Sequence, residues 1–133
     1  MDFNRLTEKS QEVLQQAQTL ATEHGNQQVD VEHLLAAMLA QEGGLTPAIL
    51  ARADIPAETL QRRLQQEIDK LPKVSGGGAQ AGQMYVTARL SRLLNAAESQ
   101  AKRLKDEYVS VEHLLLAMAE DQGEAGKLLR EFG

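Results

Sequence analysis

The sequence has no cysteine and no tryptophan, and it is poor in aromatic residues and proline. Its 133 residues include only two phenylalanines, two tyrosines and three prolines. The absence of cysteine excludes disulfide bonds, thiolate metal sites and cysteine nucleophiles. The small number of aromatic side chains argues against a stacking platform for single-stranded nucleic acid and against a carbohydrate-binding face.

Positive charge is also scarce. Fourteen Lys and Arg residues face 19 Asp and Glu residues, which gives a formal net charge of −5. Because phosphate affinity comes from clustered positive charge, we expect no nucleic-acid partner. No apolar run approaches the ~18 residues of a membrane span, and the first residues are not those of a signal peptide. We therefore expect a soluble, cytoplasmic, helix-rich protein without membrane contact.

Apolar residues recur with helical period along nearly the whole chain, and the pattern predicts about seven helices. Thr7, with Asn4 as a competitor, and Thr87 are the expected N-caps of two long helices. Asp30 and Ser110 are the expected N-caps of two shorter helices that are apolar almost all round, and which we therefore expect to be buried. Besides the two long helices, the predicted helices cover residues 31–41, 46–53, 56–71, 111–120 and 124–132.

The two halves of the chain repeat each other. The string VEHLL occurs at 31–35 and again at 111–115, and at the same offset caps, core positions and helix breakers coincide. We predict an all-α fold with a pseudo-two-fold duplicated helical repeat. The first repeat covers 1–71, a flexible glycine-rich linker covers 72–83, and the second repeat covers 84–133, together forming one structural domain.

The second repeat is incomplete. A helix equivalent to 56–71 would fall beyond Gly133, so the second repeat lacks its last helix. Either the second repeat is truly shorter or the sequence is a piece of a longer polypeptide. We favour the second interpretation.

Two motifs that suggest chemistry lack the residues it requires. Gly77 and Gly82 have the spacing of a phosphate loop, but Gln83 and Met84 replace its lysine and hydroxyl residue, so we expect no nucleotide cofactor here. A histidine follows glutamate in each VEHLL string, yet zinc needs three or four converging ligands, so we expect no metal site. We interpret these histidines as structural groups that bond a loop carbonyl of the preceding extended segment.

Catalytic residues are not evident either. Paired carboxylates at 67–69, 106–107 and 120–121 fall at helix ends or on exposed faces, and no serine lies in a nucleophile elbow. We expect no enzymatic activity in this chain. An enzyme is one rival hypothesis, and it requires His33 or His113 in an open cleft beside an acidic residue.

An apolar cluster lies near the start of the second repeat. If left open, it would form a docking groove for unfolded or apolar peptide, while the alternative is that all of its members are packed in the core. The cluster comprises Met84, Tyr85, Val86, Leu90 and Tyr108.

Short strings along the chain carry a resemblance to a known family. They are RLT at 5–7, AQ at 17–18, EHL at 32–34, QEGG at 41–44 and LPKVSG at 71–76. With the repeat, they make the sequence similar to the N-terminal domains of ClpB-type disaggregases of the bacterial Clp/Hsp100 AAA+ family. The resemblance implies a non-catalytic, mobile domain of a homohexameric ring, which engages unfolded or aggregated polypeptide and helps deliver it to an ATP-driven pore. ATP and magnesium would belong to AAA+ modules further along such a chain.

The resemblance also implies substrate-binding residues, which fall on Thr7, Asp106 and Glu112. Each has a local alternative: Thr7 as an N-cap, Asp106 as a turn residue, and Glu112 as a first-turn carboxylate favoured by the helix dipole. The sequence departs from the family at Gln100 and His113, where some members carry leucine. The alternative function is docking of an adaptor, as in protease-linked Clp ATPases. We expect the chain itself to be a monomer.

Overall fold

The computed structural model describes residues 3–41, 44–71, 85–120, 126, 127 and 129. A single 3₁₀ turn, Phe3–Arg5, precedes the first α-helix. The helices are α1 Glu8–Glu23, α2 Val31–Ala40, α3 Thr46–Arg52, α4 Ala57–Asp69, α5 Ala88–Arg103 and α6 Val111–Ala119, and the short strands are β1 Gln28–Val29 and β2 Tyr85–Val86. Residues 126, 127 and 129 are also helical, within the seventh helix predicted over 124–132. The predicted linker over 72–83 lies outside the described residues.

The all-α repeat fold is confirmed, and the two repeats agree closely in their local structure. Thr7 and Thr87 are the N-caps of α1 and α5, each accepting a hydrogen bond from a backbone N–H three residues ahead. Both long helices end in a turn whose second residue has a positive φ, 72° at Gly25 and 61° at Lys105. The second repeat therefore forms the left-handed turn with a lysine, although glycine adopts this conformation at lower cost.

Backbone pairing links each repeat to the other. In the parallel pair β1–β2, Val29 lies opposite Val86, and the Thr87 N–H donates to the Val29 carbonyl at 3.1 Å. The equivalent pair joins Leu6 with Val109, where the Thr7 N–H donates to the Val109 carbonyl at 3.1 Å. We call these contacts the first seam (β1–β2) and the second seam (Leu6–Val109). They relate the repeats by a pseudo-two-fold exchange of extended segments.

The core forms around α2 and α6, as the absence of a polar face predicts. Helix α1 packs on α2, α5 packs on α6, and α4 adds the apolar stripe of Leu60, Leu64 and Ile68 against α2. Leu34 and Leu114, equivalent in the two repeats, are fully buried. The predicted cap Asp30 accepts the Val31 N–H, and α3 carries Pro47 in its first turn. No helix among the described residues is long and apolar enough to cross a membrane.

Candidate functional site

Two of the predicted substrate-binding residues, Asp106 and Glu112, belong to one hydrogen-bonded network at the start of α6. The Ser110 N–H donates to His113 Nδ1 at 2.9 Å, which assigns the ring proton to Nε2. His113 Nε2 then donates to Asp106 Oδ2 at 2.9 Å. On the other side, the Ser110 hydroxyl donates to Glu112 Oε2, also at 2.9 Å. The network positions two exposed carboxylates around a buried imidazole.

Thr7, the third predicted residue, reaches the same segment through the second seam. Its hydroxyl donates to the Ser10 hydroxyl at 3.0 Å, and the Ser10 hydroxyl donates to the Val109 carbonyl at 3.0 Å. The Thr7 backbone N–H donates to that carbonyl as well. The structure thus places all three predicted residues around residues 109–113, where Thr7 is also the N-cap that the sequence predicted. Their role in substrate binding stays a prediction.

Thr7 provides a test that separates its capping role from other roles. Replacing a Thr N-cap by Ala leaves a helix N–H without its acceptor, so we expect Thr7→Ala to lower the free energy of unfolding by about 1 kcal/mol. Asn is an equally good N-cap, so Thr7→Asn serves as the matched control and is expected to retain most of that stability. Urea unfolding followed by circular dichroism measures both. Equal losses in the two variants would show that the cap is not what Thr7 contributes.

His33 and His113 each stabilise the start of a helix, but the prediction that they bond a loop carbonyl was wrong. His33 Nδ1 accepts the Asp30 N–H at 2.9 Å, and its Nε2 contacts the side-chain oxygen of Asn26 at 2.9 Å. Neither His33 nor His113 bonds a loop carbonyl; each closes a capping box with its own N-cap and uses its second nitrogen for the side chain seven residues earlier. The turn before each helix brings that side chain within reach, whereas Nδ1 is occupied by the cap.

The first repeat carries a closed ionic cluster at the first seam. Arg89 donates to Asp30 Oδ2 at 3.3 Å and to Glu32 Oε1 at 3.0 Å, while the Thr87 hydroxyl donates to Asp30 Oδ1 at 2.9 Å. Glu32 is buried, and this burial raises its pKa although Arg89 acts in the opposite direction. Burial also lowers the pKa of His33 to about 4. Local sequence patterns do not indicate this cluster, because its partners lie far apart in the chain.

An apolar cleft of about 520 Å³ lies between α3 of the first repeat and α6 of the second. Its walls are aliphatic, apart from one carboxylate, Glu112, among the described lining residues. Leu116 is 49% exposed at this cleft. The full lining is Ile49, Leu50, Ala53, Ile55, Glu112, Leu115, Leu116, Ala119 and Leu129.

The predicted apolar cluster does not form this cleft. Leu90 is buried in the core, while Val86 and Tyr108 are 49% and 53% exposed at different seams. Met84 and the side chain of Tyr85 lie outside the described residues. The repeat does contain a sequence signal for the α3–α6 cleft. The strings at 31–38 and 111–118 are identical except that Leu116 stands where the first repeat has Ala36.

A second groove, of about 650 Å³, runs between α1 and α2. Its walls are mostly polar, with Glu12, Gln15, Gln16 and Gln41 above small residues of α2. Long amide side chains at an exposed surface are well solvated and offer little apolar area to a ligand. The described residues also contain no group of three or more His, Asp or Glu side chains that could hold a metal ion. The α3–α6 cleft is therefore the better candidate for a functional site.

Comparison with known proteins identifies relatives across the whole chain. Residues 5–132 match the family described as the Clp repeat (R) N-terminal domain. The chaperone protein ClpB of Nitratidesulfovibrio vulgaris is 44% identical over 134 residues, and that of Bacillus anthracis is 41% identical over 132 residues. Each alignment covers 99% of this chain, but the chain spans only 16% and 15% of the two relatives.

Solved structures show the same fold at low sequence identity. The crystal structure of the Hsp104 N-terminal domain from Candida albicans aligns with a TM-score of 0.82 at 23% identity, covering 96% of this chain and 81% of that one. The N-terminal domain of the ClpV1 ATPase from E. coli EAEC aligns with a TM-score of 0.75 at 21% identity, covering 96% and 83%. At these identities the likeness concerns the fold.

Proposed function

Because the chain belongs to the Clp repeat (R) N-terminal domain family, we propose that it is the non-catalytic substrate-binding domain of an ATP-dependent protein disaggregase. In this proposal it engages exposed hydrophobic segments of unfolded or aggregated proteins. The observation that supports this most directly is the apolar α3–α6 cleft, which both repeats line and where Leu116 is half exposed. An apolar cleft of this size suits a short run of aliphatic side chains.

The cleft favours weak and promiscuous binding. Burying about 300 Å² of apolar surface contributes roughly 7 kcal/mol, and association costs about 4 kcal/mol or more in lost freedom of motion. The small remainder corresponds to weak affinity. Weak affinity suits a domain that must release its cargo to another part of the machine. Aliphatic walls place few geometric demands on the ligand, so different apolar segments can bind.

The proposal also concerns the longer protein to which this chain would belong. The related ClpB chaperones are about six times longer than this chain, as the alignment coverage of 15–16% shows. We place ATP and magnesium in AAA+ modules of the whole protein, which would act as a cytoplasmic homohexameric ring. Thr7, Asp106 and Glu112 would then border the surface that receives the client polypeptide before its transfer to that ring.

Leu116 gives the sharpest test of the cleft. A carboxylate at this half-exposed position would be desolvated by an apolar ligand, so we expect Leu116→Asp to weaken binding of a reduced, carboxymethylated model protein at least tenfold. Leu104→Asp is the matched control, since Leu104 is 55% exposed at the end of α5 and does not line the cleft. Fluorescence anisotropy with the labelled model protein measures both. If the wild-type chain does not bind at high micromolar concentration, the proposed function is wrong.

Docking of an adaptor is the second candidate function. The network joining Asp106, His113, Ser110 and Glu112 offers a discrete polar surface of the kind that suits one defined partner. A pull-down that recovers a single protein in stoichiometric amount, sensitive to Asp106→Asn but not to Leu116→Asp, would favour this alternative over client capture.

A further inference from the structure

One charged group interrupts the apolar lining of the α3–α6 cleft. Among the described lining residues, only Glu112 carries charge, and its Oε2 accepts the Ser110 hydroxyl at 2.9 Å. A carboxylate beside an apolar surface attracts a cation more strongly than one surrounded by water, because the neighbouring apolar groups lower the local dielectric. The cleft therefore combines aliphatic walls with a negative charge at a fixed place.

The equivalent glutamate of the first repeat binds an arginine. Glu32, equivalent to Glu112 in the repeat, receives the Arg89 guanidinium at 3.0 Å, and its side chain is only 4% exposed. Arg89 comes from the other repeat, across the first seam. In the first repeat, the glutamate of the VEHLL string thus binds an arginine that comes from the other repeat.

Around Glu112, other residues occupy the positions of Arg89 and Asp30. Lys9 occupies the position equivalent to Arg89, and its ammonium lies 3.9 Å from the Glu12 carboxylate on its own helix. Ser110 occupies the position of Asp30, the second carboxylate of the closed cluster. Glu112 is exposed, whereas Glu32 is buried. The glutamate of the second repeat thus faces the cleft rather than a buried ion pair.

We propose that Glu112 selects apolar segments that carry an adjacent arginine, so that the cleft binds the aliphatic side chains and Glu112 binds the guanidinium. The inference rests on the proposed function and deepens it by naming the chemical class of the segment. Arginine suits the position because its planar guanidinium can donate two parallel hydrogen bonds to a carboxylate. The charge of the chain, −5 overall, acts in the same direction.

The test uses three labelled peptides with the same aliphatic core and Arg, Gln or Glu at one flanking position. For the wild-type chain at low salt, we expect the Arg peptide to bind about five- to tenfold more tightly than the Gln peptide, and the Glu peptide to bind most weakly. In Glu112→Gln, which can still accept the Ser110 hydroxyl, the three affinities should converge. Glu23→Gln changes the net charge equally on an exposed turn of α1, outside the cleft lining, and should preserve the preference.

The outcomes separate this inference from the proposed function. If all three peptides bind the wild-type chain equally well, the proposed function stands and charge selection is wrong. If the preference persists in Glu112→Gln, another group selects the charge and the inference is again wrong. If no peptide binds, the proposed function fails and the inference fails with it. Self-association that Leu116→Asp abolishes would assign the cleft to a second copy of the chain and also overturn the inference.

Discussion

Replacing Arg89 by methionine is expected to lower the free energy of unfolding by about 2–4 kcal/mol near pH 7. The variant retains an unbranched chain but leaves two carboxylates without their cation. The larger part of the loss is expected at Glu32, because its side chain is 4% exposed and its Oε2 already has no hydrogen-bond partner among the described residues. The expected loss lies below that of a fully buried ion pair, because the Arg89 side chain is 26% exposed and water screens part of the interaction.

The repeat supplies a matched control for this variant. Lys9 is the position equivalent to Arg89, but its side chain is 54% exposed and its Glu12 partner is 61% exposed. An exposed pair of this kind contributes little, so we expect Lys9→Met to change the free energy of unfolding by less than about 1 kcal/mol. Urea unfolding followed by helix circular dichroism at 222 nm suits both variants, because the chain has no tryptophan. Equal losses in the two variants would contradict the importance of the ionic cluster.

A double-mutant cycle tests whether the unpaired charge of Glu32 causes the loss of stability in Arg89→Met. Replacing it by glutamine removes the buried negative charge, so Arg89→Met combined with Glu32→Gln should be less destabilised than the sum of the two single variants. The pH dependence gives a second reading. Loss of Arg89 raises the pKa of Glu32 further, so the deficit of Arg89→Met should be largest at neutral pH and should shrink toward pH 4.5, as the folded state takes up a proton.

The second large effect concerns His33 and pH. Burial lowers the pKa of His33 from its usual 6.5 to about 4, so the unfolded chain takes up a proton at a higher pH than the folded chain does. The contribution of neutral His33 to the free energy of unfolding is therefore fully present above pH 6.5, and it declines as the pH falls from 6.5 toward 4. Between pH 7.5 and pH 4.5 this contribution amounts to about 2–3 kcal/mol, from 1.36 kcal/mol per unit of pKa difference. The main physical reason is that burial disfavours the charged imidazolium, and Nδ1 also accepts the Asp30 N–H only while it carries no proton.

The variant His33→Gln isolates this contribution. Glutamine at the third position of a helix also closes a capping box, so the helix start is preserved while the titrating group is removed. We expect the difference in unfolding free energy between the wild type and the variant to narrow by about 2–3 kcal/mol from pH 7.5 to pH 4.5. An NMR titration that placed the His33 midpoint near 6.5 in the folded protein would contradict the expected slope.

Much of the fold could be predicted from local sequence signals. The caps Thr7, Asp30 and Thr87, the all-α class and the central position of the two VEHLL helices follow from residue type and apolar period. Helix ends were predicted to within one or two residues: α3 ends at Arg52 rather than 53, α6 at Ala119 rather than 120, and α4 at Asp69 rather than 71. Such differences are expected where terminal turns fray.

The long-range contacts could not be predicted in the same way. The sequence indicates that Val29 and Val109 are extended, but not that each pairs with the opposite repeat. Arg89 lies 59 residues from Asp30 and 57 residues from Glu32, and no local rule specifies such partners. The position of the cleft depends on how α3 packs against α6. By contrast, the exposed Leu116 could have been found by comparing the repeats residue by residue.

The second seam has a consequence for how the chain acquires its structure during synthesis. The Thr7 N–H pairs with the Val109 carbonyl, and the Val109 N–H donates to the Arg5 carbonyl at 2.7 Å. A ribosome makes residues 5–7 before residue 109, so the segment before α1 stays without these partners until residue 109 has been translated. Contacts this distant in sequence slow folding, because a long loop must close before they form. The emerging first repeat therefore cannot complete its structure co-translationally until the second repeat has been made.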